Sequence, residues 1–71
     1  MDTLADNLRG ERAKKRMSME QVAKAIGVSS SAIKNWESGE NVPLIDSVAS
    51  LAELYGTTVD DLIGFKKAHQ S

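Results

Sequence analysis

The sequence predicts an all-α fold, five short helices in one bundle, and three observations carry that prediction. Apolar residues recur at helical spacing in successive short runs, and no run alternates as a half-buried strand would. Gly27, Gly39, Gly56 and Gly64 each stand just after such a run, where a residue without a Cβ ends a helix most easily. Ser18 with Gln21 and Thr58 with Asp61 have the spacing of a capping box, in which the first side chain bonds the backbone three residues on.

The first helix opens near Asp2 and Thr3, with Asp6 placed to favour the positive end of its dipole. Leu4, Leu8 and Ala13 are expected to form its apolar side. Gly10 interrupts it at a cost of roughly 1 kcal/mol against alanine and is expected on the surface. Arg12, Lys14, Lys15 and Arg16 gather at its C-terminal end, where cations suit the dipole and can also meet a phosphate backbone. Met17 is expected in the core at the bend that follows.

Ser18 starts the second helix, whose inward positions are Met19, Val22, Ala23 and Ile26. Gly27 supplies the positive φ that turns the chain, and Val28 faces back inward. Ser29 can cap a third helix with Ala32, Ile33 and Trp36 inside. Trp36 is expected between the second and fourth helices. Two short helices joined by a turn of about 3–4 residues containing glycine form the helix-turn-helix plan. In that plan the second of them enters the DNA major groove.

After the loop Glu40-Asn41-Val42-Pro43, the proline is expected to start a fourth helix, as prolines do in a first turn. Ile45, Val48, Leu51, Ala52 and Tyr55 are expected to pack it on the helix-turn-helix. Thr58 opens a last short helix with Val59, Leu62 and Ile63. The reading is a domain over residues 1–64 and a short tail over 65–71.

Ser30, Ser31, Lys34, Asn35 and Ser38 face outward on the third helix. Ser30, Ser31, Lys34 and Asn35 are the candidates to read bases. An amide such as Asn35 matches adenine N6 and N7, and Lys34 can reach guanine O6/N7 or a phosphate. Candidates for phosphate contact are Arg12, Ser18, Gln21, Ser29, Ser38 and Asn41. A solvated polar helix face has the same composition, so this face alone leaves both readings open.

Residues 4–64 resemble the DNA-binding module of the Xre family, which includes phage repressors and Cro proteins. The resemblance rests on Leu8-Arg9-x-x-Arg12, Ser18 with Gln21, and Ala23-x-x-Ile26-Gly27-Val28-Ser29. It continues through Ile33-x-x-Trp36-Glu37-x-Gly39, Pro43, Leu51-Ala52-x-x-Tyr55-Gly56 and Val59-Asp60-Asp61-Leu62. It implies a lambda-repressor-like five-helix domain and an ion pair between Arg12 and Glu37 that joins the first and third helices. Two positions depart from the family's pattern. Met19 stands where a phosphate-donating glutamine is usual, and Glu40 where a basic residue often is.

Charge is distributed unevenly. Residues 1–39 carry seven basic and five acidic side chains, residues 40–64 none and five, within a total of −1. The positive field therefore lies over the first three helices, which suits one DNA face and one opposite face. The chain has no cysteine, and no stretch approaches the ~18 apolar residues of a membrane span. A cytoplasmic protein is expected. Chemistry finds no foothold: His69 has no partner in sequence, and Asp60 and Asp61 point about 100° apart on a helix. No metal-ligand spacing and no phosphate-cradling glycine loop occurs, so neither metal nor cofactor is expected.

The sequence thus reads as a Cro-like or repressor-like regulator that binds a palindromic operator as a homodimer, on a chain that ends where its domain does. An antitoxin of a toxin–antitoxin pair, held to a toxin protein, and a restriction–modification controller are alternatives on the same fold. An interaction module that has lost DNA binding is a third. Leu44, Leu54 and Phe65 are the dimer candidates, being apolar residues that the core does not clearly need. The competing reading folds Phe65 back over the core and leaves Leu54 as an ordinary exposed leucine.

Overall fold

A computed structural model describes residues 3–64, and within them every regular element is an α-helix. In order these are α1 (Thr3–Lys15), α2 (Met19–Ile26), α3 (Ser30–Ser38), α4 (Ile45–Tyr55) and α5 (Val59–Ile63). The helices close on a core of Leu8, Val22, Ala23, Ile33, Val48, Leu51, Ala52, Tyr55 and Leu62. Leu4, Met17, Met19, Ile26, Val28, Trp36, Leu54 and Val59 pack partly against it.

Local chemistry sets the ends of the elements. The Ser18 Oγ accepts the Gln21 N–H at 3.0 Å while Gln21 Oε1 accepts the Ser18 N–H at 2.8 Å, a complete capping box. Ser29 Oγ accepts the Ala32 N–H at 3.1 Å, and Thr58 Oγ1 accepts the Asp61 N–H at 3.0 Å. Gly27, at φ 78° and ψ 35°, lets α2 stop in one residue, and the Val28 N–H returns to the Ala23 carbonyl at 2.9 Å. That reversal aims α3 across α2. The end of α1 uses the same geometry without a glycine. Arg16 has φ 55°, and the Met17 N–H reaches the Arg12 carbonyl at 3.3 Å.

Three expectations need correction. Ala13 is exposed, and Ala5 is buried in its stead. The inward line of α1 runs Ala5, Leu8, Arg12 at helical spacing, so the place expected for an apolar residue is held by a paired arginine. Pro43 does not start α4. It is buried one residue ahead of the N-cap Leu44, and the helix begins at Ile45. Ile45 is 70% exposed, because at the first position of α4 its side chain tilts toward the helix N-terminus, away from the bundle. Trp36 is half-buried against the core and borders the same interior space as Leu8, Ile33, Leu51 and Tyr55.

A contact unannounced by composition closes the first and last helices. Asn7 Nδ2 donates to the carbonyls of Asp61 and Leu62, at 3.1 and 2.9 Å. Those carbonyls belong to the last turn of α5, which has no further turn to receive them. Beside them Gly64 lies against Thr3, where a Cβ would come within 2.6 Å of Thr3 Cγ2.

Two glycine substitutions separate backbone roles. Gly10 lies inside α1 with nothing within 4 Å of a built Cβ, so Gly10→Ala should raise stability by about 0.5–1 kcal/mol. Gly27→Ala should lower it by about 1–2 kcal/mol, because the left-handed turn strains any Cβ. Urea midpoints of the two variants check both signs.

Candidate nucleic-acid interface

The outer surface of α3 is built from its inner one. Ile33 is buried and Glu37, 3% exposed, is the buried charged residue among those described. Arg12 Nε and Nη2 donate to the two carboxylate oxygens of Glu37, at 2.7 and 3.0 Å. The bidentate geometry holds both planes fixed. Arg12 Nη1 donates to the Met17 carbonyl at 3.0 Å, tying the same guanidinium to the bend before α2. The hydrogen bond to Glu37 is the main reason the Arg12 pKa is raised above its ordinary value.

A second arginine, which the sequence did not single out for this role, grips the backbone at the same residue. Arg9 Nη1 donates to the Glu37 carbonyl at 2.5 Å and also pairs with Asp6. So α1 holds Glu37 by its side chain through Arg12 and by its main chain through Arg9. The signal in sequence was only that Arg9 and Arg12 lie three residues apart on one helix face. A backbone acceptor leaves no mark in sequence.

With α3 pinned on that side, Ser30, Ser31 and Lys34 are exposed and Asn35 is half-buried beside them. Their side chains make no hydrogen bond to another described residue. An open groove runs between α2 and the start of α3, lined by Glu20, Gln21, Ala23, Lys24, Val28 and Ser30.

The phosphate candidates divide by what their atoms already do. Ser18, Ser29 and Gln21 each use an oxygen to accept a backbone N–H, which leaves the hydroxyl hydrogens and the Gln21 amide N–H groups as outward donors. Donors at helix N-termini are what an anion needs. Arg12 keeps two of its five N–H bonds free after meeting Glu37 and Met17. Ser38 is spent: its hydroxyl donates to the Asn35 carbonyl at 3.1 Å and accepts the Glu40 N–H. Ser38 therefore drops out as a donor, because the single hydrogen it carries closes the end of α3. Asn41 is exposed, its own N–H bound to the Asn35 carbonyl at 3.2 Å. Met19 is half-buried on the core, so the side chain in the place of the family's glutamine points its bulk inward.

Of the dimer candidates, Leu44 is 74% exposed. Leu54 is half-buried against the core, so it is not the exposed leucine that its position off the Val48–Tyr55 stripe suggested. Phe65 lies outside the described residues.

A helix-turn-helix family model matches residues 8–62, from the core leucine of α1 to the core leucine of α5. The chain belongs to the Xre-like helix-turn-helix family. It is 36% identical over 66 residues to the HTH-type transcriptional regulator AnsR of Bacillus subtilis, across 93% of this chain and 57% of that protein. It is 33% identical over 58 residues to the HTH-type transcriptional activator BcrR of Enterococcus faecalis, across 82% of this chain and 28% of that one. The chain thus spans little more than half of one relative's length and under a third of the other's. Among solved structures, the P22 c2 repressor in complex with a synthetic operator superposes with a TM-score of 0.85 at 24% identity, over 93% of this chain and all of that one. A transcriptional regulator from Listeria innocua gives 0.83 at 25%, over 89% of this chain and 59% of that one. The first of these likenesses is one of fold.

Tyr55, buried beside the Arg12–Glu37 pair, gives a pH test of this packing. Burial, and then the nearby Glu37 carboxylate, push its hydroxyl up to about 12 from 10. Below pH 10 the hydroxyl is neutral in both folded and unfolded chains, so the packing around it keeps its full stability. As pH rises from 10 toward 12 only the unfolded chain releases the proton, and stability falls. Tyr55→Phe should remove that part of the alkaline loss, seen as a flatter dependence of the urea midpoint on pH across 10–12.

Proposed function

We propose that the domain binds duplex DNA with sequence specificity and represses transcription, with α3 seated in the major groove. One observation carries the reading. A short helix is fixed to the bundle through buried Ile33 and an ion pair whose carboxylate is buried, and outward it presents Ser30, Ser31, Lys34 and Asn35 with their side-chain hydrogen-bonding groups uncommitted within the described chain. Small side chains at the start of α3 permit close approach. Lys34 and Asn35 follow where a base edge would be reached.

The flanking donors support the same reading. Ser18, Gln21 and Ser29 open two helix N-termini near one groove, where phosphates are favoured. These contacts set register on the duplex, and the α3 face reads sequence. The family membership and the repressor–operator likeness agree with it. A single domain offers one recognition helix, so two copies are expected on palindromic half-sites about one DNA turn apart.

Binding to a palindromic site, selected by the protein from a random duplex pool, tests the proposal. Asn35→Ala should relax preference at one base pair per half-site, with a loss of roughly 1–3 kcal/mol on the selected site. An equal loss on every sequence would make Asn35 a backbone contact. Gln21→Ala should weaken all sequences alike.

A further inference from the structure

The chain carries three methionines and no cysteine, so all of its sulfur is thioether. Two of the three, Met17 and Met19, flank Ser18, the N-cap of α2. Both pack partly against the core, and both keep part of their surface in water. A thioether so placed fills the rim of the core and is open to a small solute. Their surroundings differ. Met17 lies in the bend after Arg16, and its carbonyl accepts Arg12 Nη1 at 3.0 Å. Met19 is the first residue of α2. No described residue accepts the N–H groups of Met19 and Glu20, which precede the first bond of the helix, from the Val22 N–H to the Ser18 carbonyl at 3.1 Å. With the Ser18 hydroxyl and the Gln21 amide they form a cluster of open donors at this helix end.

We propose that Met19 is an oxidation site, and that conversion of its thioether to the sulfoxide releases the domain from DNA while leaving it folded. This rests on the DNA-binding reading above. The oxidant is a hydroperoxide, with hydrogen peroxide the simplest of the class. A sulfur lone pair attacks one peroxide oxygen, and an S–O bond forms as the O–O bond breaks. The departing hydroxide takes the proton from the new S–OH group and leaves as water. Sulfur is oxidised by two electrons and the peroxide is reduced by the same two, so no further reactant enters.

The product suits neither of the places that the thioether suits. A sulfoxide oxygen accepts hydrogen bonds and has no hydrogen to give, and on an apolar core it is costly unless bonded. The donors that can satisfy it are those of its own helix end, since side chains in a helix lean toward the N-terminus. They are the donors that a phosphate needs in the proposed complex. Oxidation therefore spends them internally and sets the negative end of the S–O dipole where the phosphate charge would lie. The fold does not depend on that sulfur. Val22, fully buried, and Ala23, 4% exposed, keep α2 on the core, and the capping box uses only Ser18 and Gln21.

The test uses the full chain, hydrogen peroxide, and the duplex that the untreated wild-type protein selects. Peptide mass spectrometry follows the gain of one oxygen at each methionine. Wild type oxidised at Met19 should bind at least about tenfold more weakly, on all sequences alike, because charge-assisted bonds to phosphate are lost. Its helical circular dichroism and cooperative melting should remain, and a methionine sulfoxide reductase should restore binding. Met19→Leu, close in volume and without sulfur, should bind as untreated wild type does and stay insensitive to peroxide. Met19→Gln gives the same reading of peroxide insensitivity if leucine disturbs the core. Met17→Leu should keep the sensitivity. Equal losses in treated wild type and treated Met19→Leu would overturn the proposal, as would a Met17→Leu variant that escapes the loss. Unchanged affinity after full oxidation of Met19, a loss that appears only with unfolding, or a Met19 that resists peroxide able to oxidise free methionine would also overturn it. An untreated wild type that binds no duplex would instead overturn the DNA-binding reading on which it stands.

Discussion

The carboxylate of Glu37 is out of water, and a buried charge is tolerated only with a partner. Arg12 supplies that partner through two parallel hydrogen bonds, and Arg9 holds the carbonyl of the same residue. A broken buried pair costs about 3–5 kcal/mol, a large share of the stability of a domain this small. The helix α3, with nine residues, is too short to persist by itself. Its packing on α2 and the grip of Arg9 and Arg12 from α1 hold it in place. The face that carries Ser30, Ser31, Lys34 and Asn35 is therefore held at its edge through Glu37 and from beneath through Ile33. Tyr55 and Trp36 line the interior space beside Glu37, while part of the Arg12 side chain stays exposed.

A second economy lies in the caps. A serine that caps a helix spends a lone pair and keeps its hydroxyl hydrogen, and a glutamine that closes a capping box spends its oxygen and keeps its amide hydrogens. The side chains that end α2 and α3 at their N-termini thus still carry donors, in the place where the helix dipole also favours an anion. At the C-terminal end of α3 the logic reverses. There Ser38 uses its hydrogen on the Asn35 carbonyl, so its hydroxyl finishes the helix and has no donor left for a phosphate.

Much of the fold was legible because its punctuation is chemical. Ser18, Gln21 and Gly27 each carry a side-chain property, or the lack of one, that a helix end needs, and the structure uses all three as such. The Arg12–Glu37 pair was legible through family resemblance, since nothing in a spacing of 25 residues implies contact. What was missed has physical reasons. The Arg9 contact ends on a backbone carbonyl, which every residue owns. Ile45 was read as core because helical periodicity carries no record of where the underlying surface ends. Arg16 takes a left-handed conformation with no glycine to announce it. Leu54 falls off the main stripe of α4, yet packs partly on the core.

The central claim is that Arg12 and Glu37 act as one unit that fixes α3 to α1. A double-mutant cycle on folding stability, with Arg12→Met and Glu37→Met singly and together, tests it most directly. Each single change leaves a charge without its partner, whereas the double change removes both. The account predicts large losses for the single variants and a double variant far more stable than their sum implies, with a coupling of about 2 kcal/mol or more. Losses that add to within about 0.5 kcal/mol would contradict it.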